Sequence, residues 1–165
     1  YTYTGELGAI YQPSKTTFRV WSPISSEIKV RVYETGTPKS ANINGKNVTF
    51  ANGSNEYVEF PMERIENGAW EYVYEGDHAG KYYTYVVTNS NYKNREVVDP
   101  YAKSTGINGY RGMIVDFSKT NPVGWENVVL HNIPSTSLTV YETHVADVTS
   151  HASWGGTAAN AKLLP

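Results

Sequence analysis

Glu27-Ile28-Lys29-Val30-Arg31-Val32-Tyr33-Glu34 is the stretch that decides the fold. Ile28, Val30 and Val32 alternate with Lys29, Arg31 and Tyr33, the period-two pattern of a strand with one buried face and one wet face. Helical geometry would spread the three aliphatics around a cylinder, whereas a strand sends all of them into one core. The preceding run, Thr17 to Ser22, carries Phe18, Val20 and Trp21, and the turn-prone Pro23-Ile24-Ser25-Ser26 separates it from the first. The pair reads as an antiparallel hairpin.

Glu56 to Met62, Gly68 to Glu75 and Gly80 to Thr88 are three further strand-like runs, with Asn67-Gly68 and Gly76-Asp77 supplying turn chemistry between them. Trp70, Tyr72 and Tyr74 share one face of one strand, a stripe that suits a core more often than a binding surface. Thr35 to Gly53 is rich in Asn, Gly, Ser and Thr and reads as loops with a small edge strand around Val48-Thr49-Phe50. After a polar Asn89 to Arg95 loop come Val97 to Ala102, a looped Gly106 to Gly112 and a last strand near Met113 to Phe117. Leu7 to Phe117 is therefore expected to be all-β, an immunoglobulin-like antiparallel β-sandwich. Pro and Gly punctuate Asn121 to Pro134, which places a linker at 126–136 after a sandwich at 1–125. Ser137 to Val145 reads as a new strand that opens a further segment, 137–165.

Composition narrows the function. A chain of 165 residues suits one cored domain with an extension. Its net charge of −2, with Lys and Arg scattered, argues against nucleic acid as a partner. No stretch has the length or apolarity to span a bilayer, so no membrane partner is expected. The absence of cysteine excludes disulfides, thiolate nucleophiles and cysteine-ligated zinc. Tyr1-Thr2-Tyr3-Thr4-Gly5 lacks a basic segment followed by an apolar run and reads as the start of a processed or excised piece. Fourteen tyrosines against four Phe and four Trp suit strand surfaces. They also suit sugar, because a ring with an apolar face and a polar tip meets both the C–H face and the hydroxyls of a glucose unit.

Local motifs for other chemistry are weak. No two of His78, His131, His144 and His151 fall at the spacing that pairs metal ligands on a helix face, and no cofactor is implied. His144, Asp147 and Ser150 have the residue types of a hydrolytic triad but crowd into one short segment. Gly106 to Gly112 lacks the Lys-Ser/Thr ending and the strand-to-helix setting of a phosphate loop and reads as a bulged turn. Asn47-Val48-Thr49 and Asn52-Gly53-Ser54 match the glycosylation sequon, a pattern frequent by chance. No local pair of carboxylates is held across a sugar-sized gap.

Several segments together resemble the type I pullulanases of the α-amylase superfamily, whose barrel follows a β-sandwich of the isoamylase N-terminal, starch-binding type. They are Leu7-Gly8-Ala9, Thr17 to Pro23, Gly68-Ala69-Trp70-Glu71 and Gly80 to Tyr85, then Val98-Asp99-Pro100-Tyr101-Ala102-Lys103, Asn108 to Met113 and Asn121 to Trp125. Val140 to Asp147 is similar to the family's first barrel strand and Thr149 to Asn160 to the loop after it, although Ala146 stands where the family usually has Arg. Segment 137–165 would thus be the start of a (β/α)8 barrel.

The resemblance implies the N-terminal fragment of a glycoside hydrolase that acts on α-1,6 branch linkages of starch, glycogen or pullulan. The family's catalytic residues have no matching position here, so the chain is not expected to be an enzyme as it stands. α-Glucan and the remainder of the barrel are the expected partners, and an extracellular or cell-surface location in a bacterium is expected, with the cytoplasm as the alternative. Tyr92 falls in the loop where starch-binding relatives carry a stacking aromatic, and Asn108 falls near their polar contact. Trp70 is the third carbohydrate-binding candidate, from its aromatic stripe. Two rival readings are a free-standing α-glucan-binding module and a purely structural sandwich, neither of which accounts for the Tyr141 to Asp147 strand. That strand is expected to find a substitute partner, with Leu138, Val140 and Val145 in apolar contact.

Overall fold

The computed structural model describes residues 2–129 and 132–144, which form two compact units divided between Pro122 and Val123. The first unit is built of eleven strands. They are β1 (Gly8–Gln12), β2 (Lys15–Trp21), β3 (Glu27–Tyr33), β4 (Ser40–Ile43), β5 (Lys46–Thr49), β6 (Val58–Pro61), β7 (Glu63–Arg64), β8 (Ala69–Glu75), β9 (Tyr82–Thr88), β10 (Arg95–Val97) and β11 (Gly112–Met113). One sheet runs β1-β2-β8-β7 and the other β10-β9-β3-β6 with β11 beside β9, and every pairing is antiparallel. The only helical elements among the described residues are single 3-10 turns. The fold is the expected all-β sandwich.

The alternation in β3 sets the core. Ile28, Val30 and Val32 are 0%, 0% and 3% exposed. They meet Phe18, Val20 and Trp70 of the opposite sheet, joined by Tyr83, Tyr85 and Ile114. Phe18 and Tyr83 lie with ring centroids 5.0 Å apart. The pairing departs from the sequence expectation. β2 and β3 are not a hairpin: β2 pairs β1 and β8, while β3 pairs β6 and β9. The Ser22–Ser26 connection crosses from sheet to sheet, so that Phe18 and Val20 face the β3 aliphatics across the core instead of lying beside them. The same switch separates β8 from β9.

Residues 34–57 leave the sheets altogether. β4 and β5 form a two-stranded ribbon turned by Asn44-Gly45, both at positive φ, and pair with neither main sheet. At the far edge β7 spans two residues, which leaves most of β8 without a neighbour on that side. There the His78 ring stacks on Tyr74 at 3.6 Å and its Nε2 donates to the Glu75 carbonyl at 2.8 Å, blunting the edge.

In the second unit, Trp125–Asn127 and Ser135–Ser137 are isolated 3-10 turns. Residues 138–144 belong to none of the strands among the described residues, contrary to the expectation for Ser137 to Val145. Leu138 is 53% and Val140 87% exposed. Val145, and the loop expected at Thr149 to Asn160, lie outside them.

Candidate functional site

Strand parity that buries Ile28, Val30 and Val32 turns Arg31 and Tyr33 to the outer face of the second sheet. There Arg31 is level with Thr84 on β9 and Glu59 on β6. Arg31 Nε donates to Glu59 at 2.8 Å and Nη1 to Glu96 of β10 at 2.8 Å. Glu96 also accepts from the Tyr33 hydroxyl and from Thr84 Oγ1. Burial would raise the Glu96 pKa, but the hydrogen bonds from Tyr33 and Thr84 and the Arg31 charge outweigh it and hold the carboxyl below the usual range. Burial, reinforced by the bond to Glu96, pushes the Tyr33 phenol up to about 12.

This network lines a cleft of about 460 Å³ together with Tyr57 and Tyr110. Tyr57 is 46% exposed, with the Arg31 guanidinium 4.2 Å from its ring centroid, and Tyr110 is half-buried beside Phe50. A second cavity, between β1 and residues 113–118, is comparable in size, about 490 Å³. The first brings two exposed or half-buried tyrosines, Tyr57 and Tyr110, to a floor of hydrogen-bonded charged side chains.

Arg111, 4% exposed, closes the cleft from behind. Its guanidinium lies 3.6 Å from the Tyr33 ring centroid and donates to the Thr35 carbonyl at 2.7 Å and the Ser54 carbonyl at 2.8 Å. Burial lowers the Arg111 pKa, opposed by Tyr33 and Glu96. The loop carrying Arg111 touches residue 36 backbone to backbone: a Cβ on Gly106 would sit 2.6 Å from both the Gly36 Cα and its carbonyl oxygen. Gly106→Ala is expected to lower the thermal midpoint by several degrees, and an unchanged melting curve would show that the loop can shift freely.

The sequence candidates fall at three separate places. Trp70 belongs to the core. It is 6% exposed, donates its indole N–H to the Ser22 carbonyl at 3.0 Å and has the Arg64 guanidinium over its ring, so it offers no open face to a sugar. Tyr92 is 49% exposed in the β9–β10 turn, which Asn89 Oδ1 holds by accepting from the Asn91 and Tyr92 amides. Arg95 lies 4.8 Å from its ring centroid. Asn108 is exposed at positive φ in the loop leading to β11, which pairs with the start of β9, whereas Tyr92 follows its end. The structure therefore does not bring Tyr92 and Asn108 together; the length of β9, about 20 Å, separates their ends. Asn108 shares its loop with Tyr110 and Arg111. Sequence reasoning missed Tyr57, Glu96 and Arg111. Parity alone marks Arg31 and Tyr33 as outward, but the approach of Arg111 depends on two irregular loops. No grouping of His, Asp and Glu among the described residues could hold a metal ion, and no helix among them is long and apolar enough to cross a membrane.

Comparison with known proteins identifies the family of this region. Residues 44–102 match the family model of carbohydrate-binding module 48, the isoamylase N-terminal domain. The chain carries a carbohydrate-binding module 48. The matched span runs from the β4–β5 turn to Ala102, so it takes in Tyr57, Glu96, Tyr92 and Asp99, while Arg31 and Arg111 flank it. Relatives of the module and its surroundings are pullulanases. The Bacillus subtilis protein is 28% identical over 93% of this chain and 18% of its own length, and the Klebsiella pneumoniae protein 30% identical over 87% and 13%. Among solved structures, a Paenibacillus barengoltzii pullulanase in complex with maltohexaose and α-cyclodextrin superposes with a TM-score of 0.71 at 39% identity, covering 92% of this chain and 21% of that one. The chain thus spans about a fifth or less of the length of these relatives.

Proposed function

We propose that this chain is the N-terminal portion of a debranching glycoside hydrolase acting on α-1,6 linkages of starch, glycogen or pullulan. The module supports a catalytic barrel and makes weak contact with α-glucan in the Tyr57–Tyr110 cleft. The observation that carries this reading is the juxtaposition of tyrosine rings and a charged hydrogen-bonding floor on the outer sheet of a carbohydrate-binding module. Asn108, exposed on the loop that carries Tyr110, and Tyr92, at the other end of β9, are separate glucan contacts outside this cleft. Residues 126–136 are the linker and 137–165 the start of the barrel. The exposed Val128, Val129, Leu138, Val140 and Tyr141 support this assignment, because apolar surface on that scale suits a covering partner. Catalysis belongs to carboxylates on later barrel strands. By analogy with bacterial pullulanases, the location is extracellular or at the cell surface.

Two measurements test this reading. The purified chain is expected to release no reducing sugar from pullulan, and turnover above a heat-killed control would overturn the assignment of catalysis elsewhere. Maltohexaose is expected to bind in the millimolar range, about −4 kcal/mol, with affinity reduced in Tyr57→Ala. Loss of affinity in Tyr92→Ala with none in Tyr57→Ala would move the site to the β9–β10 turn.

A further inference from the structure

We propose that the two arms of the β4–β5 excursion, residues 34–39 and 50–57, form one wall of the cleft and that Arg111 is the residue that positions them. The inference rests on the glucan reading of that cleft and adds the device that gives the cleft its shape.

Residues 34–57 leave the end of β3 and return to the start of β6 without joining either sheet. Such an excursion has no ladder to hold it, and its own closure is slight. The Phe50 amide donates to the Lys39 carbonyl at 3.0 Å and the Ser54 amide to the Thr37 carbonyl at 3.0 Å, while Asn55 Oδ1 accepts from the Lys39 amide. One side chain ties both arms to the sandwich. Arg111 Nη1 reaches Thr35 on the outgoing arm and Nη2 reaches Ser54 on the returning arm, while the flat of the guanidinium rests on Tyr33 of β3. Lysine cannot reproduce this, because a single ammonium has no plane to stack and no fork to span two carbonyls.

The arms held in this way supply one side of the cleft, with Pro38, Asn55 and Tyr57. Tyr110, which also lines the cleft, precedes Arg111 in the chain and meets Phe50 at the foot of the ribbon, with ring centroids 6.2 Å apart. Arg111 therefore links the segment that leads to Tyr57 with the loop that carries Tyr110. It is a positioning residue, and the sugar-contacting rings are Tyr57 and Tyr110.

Amide hydrogen exchange and maltohexaose titration, both on the whole chain, test this. In Arg111→Lys the Phe50 and Ser54 amides are expected to exchange about tenfold faster, while the Val30 and Tyr85 amides of the sandwich keep their protection. Maltohexaose affinity should fall about tenfold in that variant. A second variant, with Ser40–Thr49 replaced by a short turn, should fold and keep its maltohexaose affinity, because Pro38, Asn55 and Tyr57 and the Arg111 bonds to Thr35 and Ser54 remain. Unchanged exchange at Phe50 and Ser54, or loss of the whole fold in Arg111→Lys, would overturn the positioning role. Loss of affinity in the variant without the ribbon would place the wall in the ribbon itself and overturn the assignment to the arms. Absence of maltohexaose binding by the unaltered chain would remove the glucan reading and the wall with it, and the exchange rates would still decide whether Arg111 holds the arms.

Discussion

Phe18→Ala is expected to lower the free energy of unfolding by about 3–5 kcal/mol, the usual cost of emptying a large aromatic site in a close-packed core. Phe18 is 0% exposed and is the β2 residue that reaches across to the other sheet, where its ring meets Tyr83. The two sheets share no hydrogen-bonded strand pair, so the interdigitation of their inner faces is what holds them together. A domain of this size has roughly 5–15 kcal/mol in total, and the variant would sit close to its unfolding threshold. Urea denaturation followed by tryptophan fluorescence measures the change. A loss below about 1 kcal/mol would mean that the core closes over the gap, and that the sandwich is held elsewhere.

The same contact shows what could be read in advance. Alternation is a property of one strand, and it identified the buried face of β3 and the inward stripe of Trp70, Tyr72 and Tyr74. It carries no information about which strand lies alongside. A five-residue connection between two amphipathic runs looks the same whether it folds back as a hairpin or steps to the opposite sheet, and at Ser22 to Ser26 it steps. The choice is made by the summed burial of Phe18, Val20, Ile28, Val30 and Val32, a long-range quantity. Tyr92 and Asn108 were both legible as exposed loop residues, but their separation by β9 depends on strand order. Arg111 was hidden for another reason. Its partners are backbone carbonyls of Thr35 and Ser54, groups that every residue possesses and no motif marks.

Asp99→Ala is expected to cost about 1–3 kcal/mol at neutral pH, through acceptors removed from buried donors. Asp99 is 3% exposed with no cation bonded to it; it accepts from the Tyr83 hydroxyl at 2.7 Å and the Tyr101 amide at 2.8 Å, and the Tyr85 hydroxyl lies 3.4 Å away. It thereby fixes the inner face of β9, whose outer face gives Thr84 to the Glu96 network. Burial raises the Asp99 pKa, and the hydrogen bonds from Tyr101 and Tyr83 only partly offset it. The sign of the pH dependence follows. Between its unfolded value, about 3.9, and its raised folded value, the native chain keeps a proton that the unfolded chain has lost, so this group's contribution falls as pH rises. Glu96 and Glu59 act in the opposite sense, because their lowered pKa values make their contributions disappear as pH falls. Comparison with Asp99→Asn separates the two. The amide keeps an acceptor for Tyr101 and cannot ionise, so the stability of the unaltered protein relative to this variant should decline from pH 3 to pH 8. Denaturant titrations across that range measure the difference directly. A difference that stays flat or grows with pH would mean that Asp99 is stabilised as a carboxylate, with its two tyrosine hydroxyls outweighing its burial.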